Sequence, residues 1–518
     1  MIKHILFSIG FFTLMGGFMH QDNQKIRTLH TATEKDFRSA LPHLASDYHS
    51  MQLVNMLYDG LLRKDSEGKI VPAIAESYNV SEDQKTYTFH LRKTFWSNGD
   101  LITAKDFESS WKKMLDPRSG FPLSSDFHPI KNGKKCLEGK VSVDSVGIYV
   151  KDRETLIVEL ENPNRYFPSF VASSTYRPMH STAAANQQIP IGNGPFLLKE
   201  WKLGYSLQLA KNPTYWDASQ VQLDAIEIQV IPDPTTQLYL YDKGKLDYIG
   251  GPLSDFSDPN ALQGRAFKTK ETSSVACLMI NVETDLLKNK KLRQALSLAL
   301  NRTAITQHVL QIGGAPATGF LSGCLKVAEK PLLRENKEEA KQLFAAALKE
   351  LQLIRENFPA LTISHRNLPQ TTKIMAAIQQ QWKETLGIRV NLQPCDYKSH
   401  MAALFVGNYE IGDVTWCSKV EDPLYVLSFF LERQEKINLP NWDCPKYRQL
   451  LHLARIETTS EKRQDLIKQA EAILLEEMPL IPLYFPEGIW LQKPHLDKVT
   501  VSRLKEIDFK EACFSSTQ

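Results

Sequence analysis

Hydrophobic and polar residues alternate along the first half of the chain, which is the pattern of half-buried strands. Residues 86–92, 155–160 and 223–231 show it most clearly. Beyond about residue 285 the apolar positions recur every three or four residues. This spacing predicts amphipathic helices, expected at residues 288–301, 336–353, 372–386 and 461–477.

Two of these helices are followed at once by strands. Gly387 is suited to a left-handed helix cap and leads into a strand at 388–392. A strand at 480–485 follows the last helix after Met478 and Pro479. Strands early and helix–strand alternation later predict at least two packed lobes, the second of α/β type.

The N-terminus has the pattern of an export signal. Lys3 and His4 precede an apolar run at residues 5–19, which is shorter than the roughly 20 residues of a membrane span. We therefore predict a signal peptide over residues 1–20 and a periplasmic or secreted protein. An uncleaved anchor is the alternative. With no cysteine in or just after the run, we do not expect a lipoprotein.

Composition narrows the class of protein. A length of 518 residues suggests about three to four domains. Lys and Arg number 62 and Asp and Glu number 59, a net charge of +3, so nucleic acid is not an expected partner. Seven cysteines are too few for a disulfide scaffold.

Motifs of catalysis and cofactor binding are missing from the sequence. It contains no H-E-x-x-H, C-x-x-C or G-x-S-x-G motif, and its 13 histidines are scattered. We therefore expect no enzyme activity, no cofactor and no metal. Catalytic triads assemble from residues that are distant in the sequence, so this expectation concerns only the local motifs named here.

Ten short blocks in a fixed order resemble one protein family. They are LYDGL at 57–61, PAIAESY at 72–78, YTFHLR at 87–92, WSNG at 96–99, TAKDF at 103–107, NGPF at 193–196, NPTYWD at 212–217, GKLD at 244–247, LRQAL at 292–296 and NR at 301–302. Together the blocks resemble the extracytoplasmic solute-binding proteins of peptide and nickel ABC importers (family 5), above all the oligopeptide-binding members.

The resemblance implies an α/β, periplasmic-binding-protein-like two-lobe fold of class II, or cluster C, type with an extra inserted domain. Lobe I is then discontinuous and comprises residues 21–51, 186–276 and 488–518. Residues 52–185 form the inserted domain II. Residues 277–487 form lobe II, also called domain III.

The same resemblance implies the solute-binding component of an ABC importer. Such a protein, expected to be a monomer, captures oligopeptides in the cleft between its lobes and delivers them to a membrane permease. Other readings stay open: a binder of modified or cell-wall-derived peptides without a free α-amine, or an enzyme or chaperone on the same scaffold. Nickel and haem rank low because the histidines form no cage.

Ligand contacts are carried over position by position. The backbone of an extended peptide is expected against Thr33 and Glu34 from lobe I. From lobe II, the Trp416-Cys417 segment and the aromatic pair Tyr484 and Phe485 are expected to contact it. For a ligand carboxylate the candidates are Arg366 and Lys373.

The sequence departs from the family at Lys419. Members carry Trp-Cys-Ala-Asp-Tyr-x-x-Pro there, and the Asp binds the α-ammonium group of the peptide. This chain has Lys419 in its place at unchanged spacing to Pro423. Three outcomes stay open: Glu421 or Asp422 substitutes, Lys419 turns to solvent, or the ligand presents an anion or a blocked terminus.

A disulfide is the last expectation drawn from the resemblance. The family has a bridge within its second lobe. Cys277 and Cys417 are its nearest counterparts in this chain.

Overall fold

The computed structural model describes residues 26–182, 189–256, 258–433 and 437–515. The predicted signal peptide lies outside these ranges, as does the predicted domain boundary at residues 185 and 186. Among the helices of the described ranges, none has both the length and the hydropathy that crossing a membrane requires.

The strands follow one another along the whole described chain. They are β1 (Thr28–Thr33), β2 (Leu62–Lys64), β3 (Ile70–Pro72), β4 (Ala75–Val80), β5 (Thr86–Leu91), β6 (Ile148–Asp152), β7 (Thr155–Glu159), β8 (Phe196–Lys202), β9 (Ser206–Lys211), β10 (Ala225–Val230), β11 (Tyr248–Gly250), β12 (Lys268–Glu271), β13 (Ser274–Ile280), β14 (Gly314–Pro316), β15 (Leu361–Arg366), β16 (Val390–Cys395), β17 (Ile411–Cys417), β18 (Leu480–Gln492), β19 (Leu496–Asp497), β20 (Thr500–Val501), β21 (Ile507–Asp508) and β22 (Cys513–Phe514).

The longer helices are concentrated in the second part of the chain. In chain order the α-helices are α1 (Tyr48–Leu57), α2 (Ala104–Leu115), α3 (Gly133–Leu137), α4 (Phe167–Val171), α5 (Pro234–Asp242), α6 (Pro259–Leu262), α7 (Lys290–Leu298), α8 (Arg302–Ala304), α9 (Lys337–Glu350), α10 (Pro369–Leu386), α11 (Tyr397–Phe405), α12 (Pro423–Leu427), α13 (Pro445–Ile456) and α14 (Ser460–Glu477). A π-helix at Ile305–Leu310 continues α8.

Hydrophobic periodicity predicted these elements well. Strands β5, β7 and β10 and helices α7, α9, α10 and α14 lie within a few residues of their predicted positions. Gly387 ends α10 at a φ of +72°, as expected of a left-handed cap. Strand β18 is longer than predicted and runs on to Gln492.

Within the described ranges, twelve strands form one mixed sheet in the order β16-β15-β17-β13-β18-β11-β1-β10-β9-β8, with β12 and β14 also paired to β18. We call β11, β1, β10, β9 and β8 the first half, and β13, β17, β15 and β16 the second half. A separate antiparallel sheet, β4-β5-β7-β6, forms the centre of the small unit (residues 62–177).

Apolar side chains cover both faces of each half. In the second half, α7, α9 and α10 bury one face, whose members include Leu292, Phe344 and Trp382. Helices α12, α13 and α14 bury the other. The core of the first half is continuous with that of the small unit. This two-part, mixed α/β architecture agrees with the two-lobe fold that the sequence predicts.

A buried carboxylate joins distant pieces of the first half and the small unit. Asp59 accepts hydrogen bonds from Arg177 at 3.1 Å, Tyr215 at 2.8 Å and Trp216 at 3.0 Å, and Arg63 lies 3.4 Å away. Burial alone would raise the pKa of Asp59, but the two guanidinium groups and the hydrogen bonds hold it below its usual value.

We expect Asp59→Asn to destabilise the protein by about 3–5 kcal/mol at neutral pH, because the buried Arg177 loses its counter-charge and Arg63 keeps only Asp508. The deficit relative to wild type should shrink as the pH falls through the lowered pKa of Asp59, since wild type then loses the same charge. Thermal unfolding across pH measures it. Asp242→Asn, which breaks the exposed pair with Arg265, should cost less than about 1 kcal/mol. Equal costs for the two variants would contradict the prediction.

Candidate functional site

The two halves of the sheet meet along β18. Its last residues pair with β12 and β11, and its first residues pair with β13. Between β12 and β13 the chain passes through Thr272 and Ser273, opposite Pro486, which has no N–H to donate. A turn of one half relative to the other would have to pass through this crossing.

The end of β17 has one open edge. Strand β13 pairs with β17 along its whole length. On the opposite edge, in the described chain, β15 pairs with β17 at Ile411 and Gly412 and no further. The backbone of residues 414–417 consequently has no strand partner on that side. An extended chain could add there as a further strand.

Trp416 lies at this open edge. Its ring packs on Phe429 with centroids 4.9 Å apart, while its indole Nε1 is buried and, among the described residues, has no hydrogen-bond partner. Buried indole N–H groups normally find an acceptor. The unused donor makes Trp416 a candidate ligand contact.

Two electrostatic interactions act between the second half and the first half. Cys417 interacts with Tyr48 of α1. The charge of Asp255, from the first half, acts on Tyr484 of β18. Burial raises the pKa of Tyr484 to about 12, with Asp413 and Asp255 adding to the rise and Arg366 opposing it. The end of β17 and Tyr484 are therefore near enough to the first half for its groups to act on them.

Arg366 is held within the second half. Its backbone N–H and its Nε both donate to the carboxylate of Asp413 at 2.7 Å, and its Nη2 donates to Thr415 Oγ1 at 3.2 Å. Asp413 also lies 3.3 Å from His400 Nε2. The guanidinium group thus braces β15 against β17 instead of standing free for a ligand carboxylate. Lys373 is exposed near the start of α10.

Thr33 and Glu34 form the end of β1 on the opposite wall. The buried Thr33 hydroxyl donates to the carbonyl groups of Lys35 at 2.9 Å and Leu253 at 3.2 Å. Glu34 accepts from the backbone N–H of Asp255 at 3.0 Å and pairs with Lys35 Nζ at 3.0 Å. Both side chains fix the loop at residues 253–255, so their contribution to a ligand would come through the backbone.

Lys419 spans from the second half to the small unit. Its Nζ lies 3.0 and 3.1 Å from the two carboxylate oxygens of Asp126, which also accepts from Thr175 Oγ1 at 3.0 Å. The Lys419 side chain is 40% exposed and that of Asp126 10%. Next to it, Val420 is buried in the core of the small unit. The partly exposed ammonium group of Lys419 is therefore paired with Asp126.

The two neighbouring acids, Asp422 and Glu421, lie in different surroundings. Asp422 accepts two hydrogen bonds from Arg463 Nη2, at 2.9 and 2.7 Å, and caps α12 through Leu424 N–H. Glu421 is exposed and faces the turn at Gly68.

Phe485 was expected over the cleft together with Tyr484. The structure buries the Phe485 side chain in the core beneath α13 and α14. Tyr484 is half-buried on the other face, with the core beneath α10. Successive side chains of a strand point to opposite faces, so only one of the two can face the cleft.

The comparisons with known proteins agree with this geometry. Residues 69–438 match the family model of bacterial extracellular solute-binding proteins, family 5 Middle. The chain belongs to this family. Its members are solute-binding proteins of the extracytoplasmic space and not enzymes.

Individual relatives match this chain over nearly its whole length. The oligopeptide-binding protein OppA of Bacillus subtilis is 31% identical over 516 residues, 95% of this chain and 94% of its own. The oligopeptide ABC transporter substrate-binding domain of Bacillus anthracis has a TM-score of 0.77 at 28% identity, covering 95% and 99% of the two chains. Peptide-bound OppA of Listeria monocytogenes also has a TM-score of 0.77, at 26% identity, covering 95% and 100%.

The disulfide expected between Cys277 and Cys417 is wrong. Both thiols are free. In the antiparallel pair of β13 and β17, Cys277 lies opposite Val414 and Cys417 opposite Ser274. That offset of three positions separates the two cysteines by roughly 10 Å along the strands, beyond the reach of about 7 Å that a disulfide allows.

The sequence did not indicate the roles of two acidic residues, Asp126 and Asp413. Asp126 and Asp413 stand in no motif, and each acts through a partner distant in the chain. In the described residues, no group of three or more His, Cys, Asp or Glu side chains could hold a metal.

Thiol labelling tests the two cysteines. In the native protein we expect Cys417, which is exposed, to react with a maleimide within minutes, and Cys277 to react only after unfolding, since it is buried and burial raises its pKa. Mass spectrometry of tryptic peptides reads the two sites separately. Variant Cys417→Ser should remove the fast-labelled peptide. A Cys277–Cys417 peptide surviving without reductant would contradict the assignment.

Proposed function

We propose that this protein is the solute-binding component of an ABC importer. It captures oligopeptides in the cleft between the two halves and delivers them to a membrane permease, as a monomer and without a chemical step. It acts outside the cytoplasm, in the periplasm or secreted. The lobe boundaries predicted at residues 276/277 and 487/488 would then fall within β13 and β18, at the turning point of the two halves.

The open edge of β17 is the observation that carries this proposal. Residues 414–417 offer backbone N–H and C=O groups without regard to the ligand's side chains. Main-chain pairing of this kind binds extended peptides of many sequences. Since the edge lies in the cleft, closing the halves would surround the added strand.

The indole N–H of Trp416, which has no acceptor among the described residues, also supports a peptide ligand. A peptide strand beside residues 414–417 presents carbonyl oxygens, the acceptors that Trp416 Nε1 lacks. The relatives are named as binders of oligopeptides and dipeptides, and one similar structure is peptide-bound. These names support a peptide ligand without fixing its length.

Calorimetry and native mass spectrometry test the proposed function. The probe is a pool of tri-, tetra- and pentapeptides of alanine, valine, serine and leucine. We expect one bound peptide per protein and heats that give a Kd below about 100 µM. A protein that neither retains a peptide mass nor produces heat would contradict the proposal, and so would cleavage of the pool.

Trp416→Phe tests the contact itself. The ring is kept and the donor is lost, so we expect peptide affinity to fall about fivefold to tenfold, the effect of one hydrogen bond. Trp442→Phe is the matched control, because Trp442 is buried in the core of the same half. It should lower the melting temperature and leave affinity unchanged. If both variants bind like wild type, Trp416 does not contact the ligand.

A further inference from the structure

A groove of about 560 Å³ lies where helix α13 meets the small unit. Asn162 of the small unit borders it on one side, and the exposed face of α13 borders it on the other. Beside it, Arg165 of the small unit donates to the carbonyl group of Thr458 at 3.1 Å. None of the residues proposed to contact a peptide lines this groove. Its volume is in the range of small-molecule sites.

The α13 side of the groove is positively charged. The helix carries Lys446, Arg448, His452 and Arg455 and contains no acidic residue. Arg448 is paired with Asp443. Arg455 lines the groove and has, among the described residues, neither an ion pair nor a hydrogen bond. Its guanidinium group is therefore available to an anion from outside the chain.

Acidic residues near the groove do not supply that anion. Each acid within two residues of the lining is engaged with another group: Asp443 with Arg448, Glu161 with the N–H of Asn132 at 2.9 Å, and Glu457 with the N–H of Thr459 at 2.7 Å. An incoming carboxylate or phosphate would consequently not have to break an ion pair of Arg455. Guanidinium groups bind both anions through paired hydrogen bonds.

Apolar side chains lie beside these charges. Leu453 and Ile456 are 42% and 62% exposed, and both line the groove one helical turn apart. The lining residues of α13 belong to a helix, whose backbone groups bond to one another. The groove thus lacks a strand edge like that of β17, and side chains alone must recognise a ligand. Covering Leu453 and Ile456 with an aliphatic chain would remove apolar surface from water.

We propose that this groove is a second binding site, and that its ligand is an amphipathic anion: a carboxylate or phosphate group joined to an aliphatic chain. The anionic group pairs with Arg455, with Arg448 beside it, and the chain lies on Leu453 and Ile456. This inference goes beyond the proposed function and does not rest on it. Such a ligand exists as a free amphiphile or as an anionic lipid, and the experiments below distinguish these sources.

Calorimetry with octyl phosphate, below the concentration at which it forms micelles, tests the site. We expect one molecule bound per protein with a Kd below about 1 mM. High salt should weaken binding, because the charges of an open groove are screened. Inorganic phosphate lacks the chain and octanol lacks the charge, so each should bind at least about tenfold more weakly. Octanol binding as tightly as octyl phosphate would overturn the proposal.

Variants assign the binding to named side chains. Arg455→Gln should weaken octyl phosphate binding about tenfold, the effect of one charge-assisted contact. Ile456→Ser should weaken it severalfold, because less apolar surface is covered. Arg334→Gln is the matched control: this arginine is 64% exposed and paired with Glu339 on the surface, and its loss should leave binding unchanged. If Arg455→Gln binds octyl phosphate like wild type, the proposal is wrong.

Vesicle sedimentation identifies the source of the ligand. We compare vesicles of phosphatidylcholine with vesicles of an equal mixture of phosphatidylcholine and phosphatidylglycerol. Sedimentation that needs both phosphatidylglycerol and Arg455 supports a lipid headgroup. Octyl phosphate binding without such sedimentation supports a free amphiphile.

Competition with peptides separates this proposal from the proposed function. Octyl phosphate should bind equally well to protein that is saturated with the peptide pool described above. Displacement of octyl phosphate by peptides would place it in the cleft and overturn the second site. A protein that binds octyl phosphate at Arg455 but no peptide would contradict the proposed function alone.

Discussion

Strand β18 supplies hydrogen-bond partners to both halves of the sheet at once, because its first residues pair with β13 and its last with β11 and β12. The relative position of the two halves depends on this shared strand. The two halves cannot separate without breaking a continuous strand, so the motion left to them is a turn near Pro486. That turn carries the open edge of β17 toward or away from the end of β1.

Contacts of different kinds join the second half to the small unit. Val420 enters the apolar core of the small unit, and Lys419 pairs with Asp126 beside it. Arg165 of the small unit also donates to the carbonyl group of Thr458 at 3.1 Å. These contacts stabilise the present arrangement of the second half and the small unit.

Local patterns in the sequence predicted the elements, since the faces of β5 or α9 are set by neighbours within a few residues. The site was harder because its contacts join distant residues. Lys419 and Asp126 are 293 positions apart, and no spacing rule connects them. The expected Cys277–Cys417 bridge was wrong because the register of β13 and β17 keeps the two cysteines apart. The expectation for Phe485 was wrong because neighbouring side chains of a strand point to opposite faces, which puts Phe485 in the core. A match to a family pattern indicates which positions correspond. The register of the strands and the partner of each side chain depend on the folded structure.

The Asp59 cluster also fixes the order in which this chain can complete its structure. Arg63 needs Asp508 as its second counter-charge, 445 residues later, and the side chain of Gln52 accepts from the N–H of Ile507 at 2.8 Å. A growing chain cannot close these long loops until its last residues exist. The surroundings of Asp59 and Gln52 are therefore completed only by the last residues of the chain, although both lie near its beginning. Deleting residues 507–518 would remove both partners.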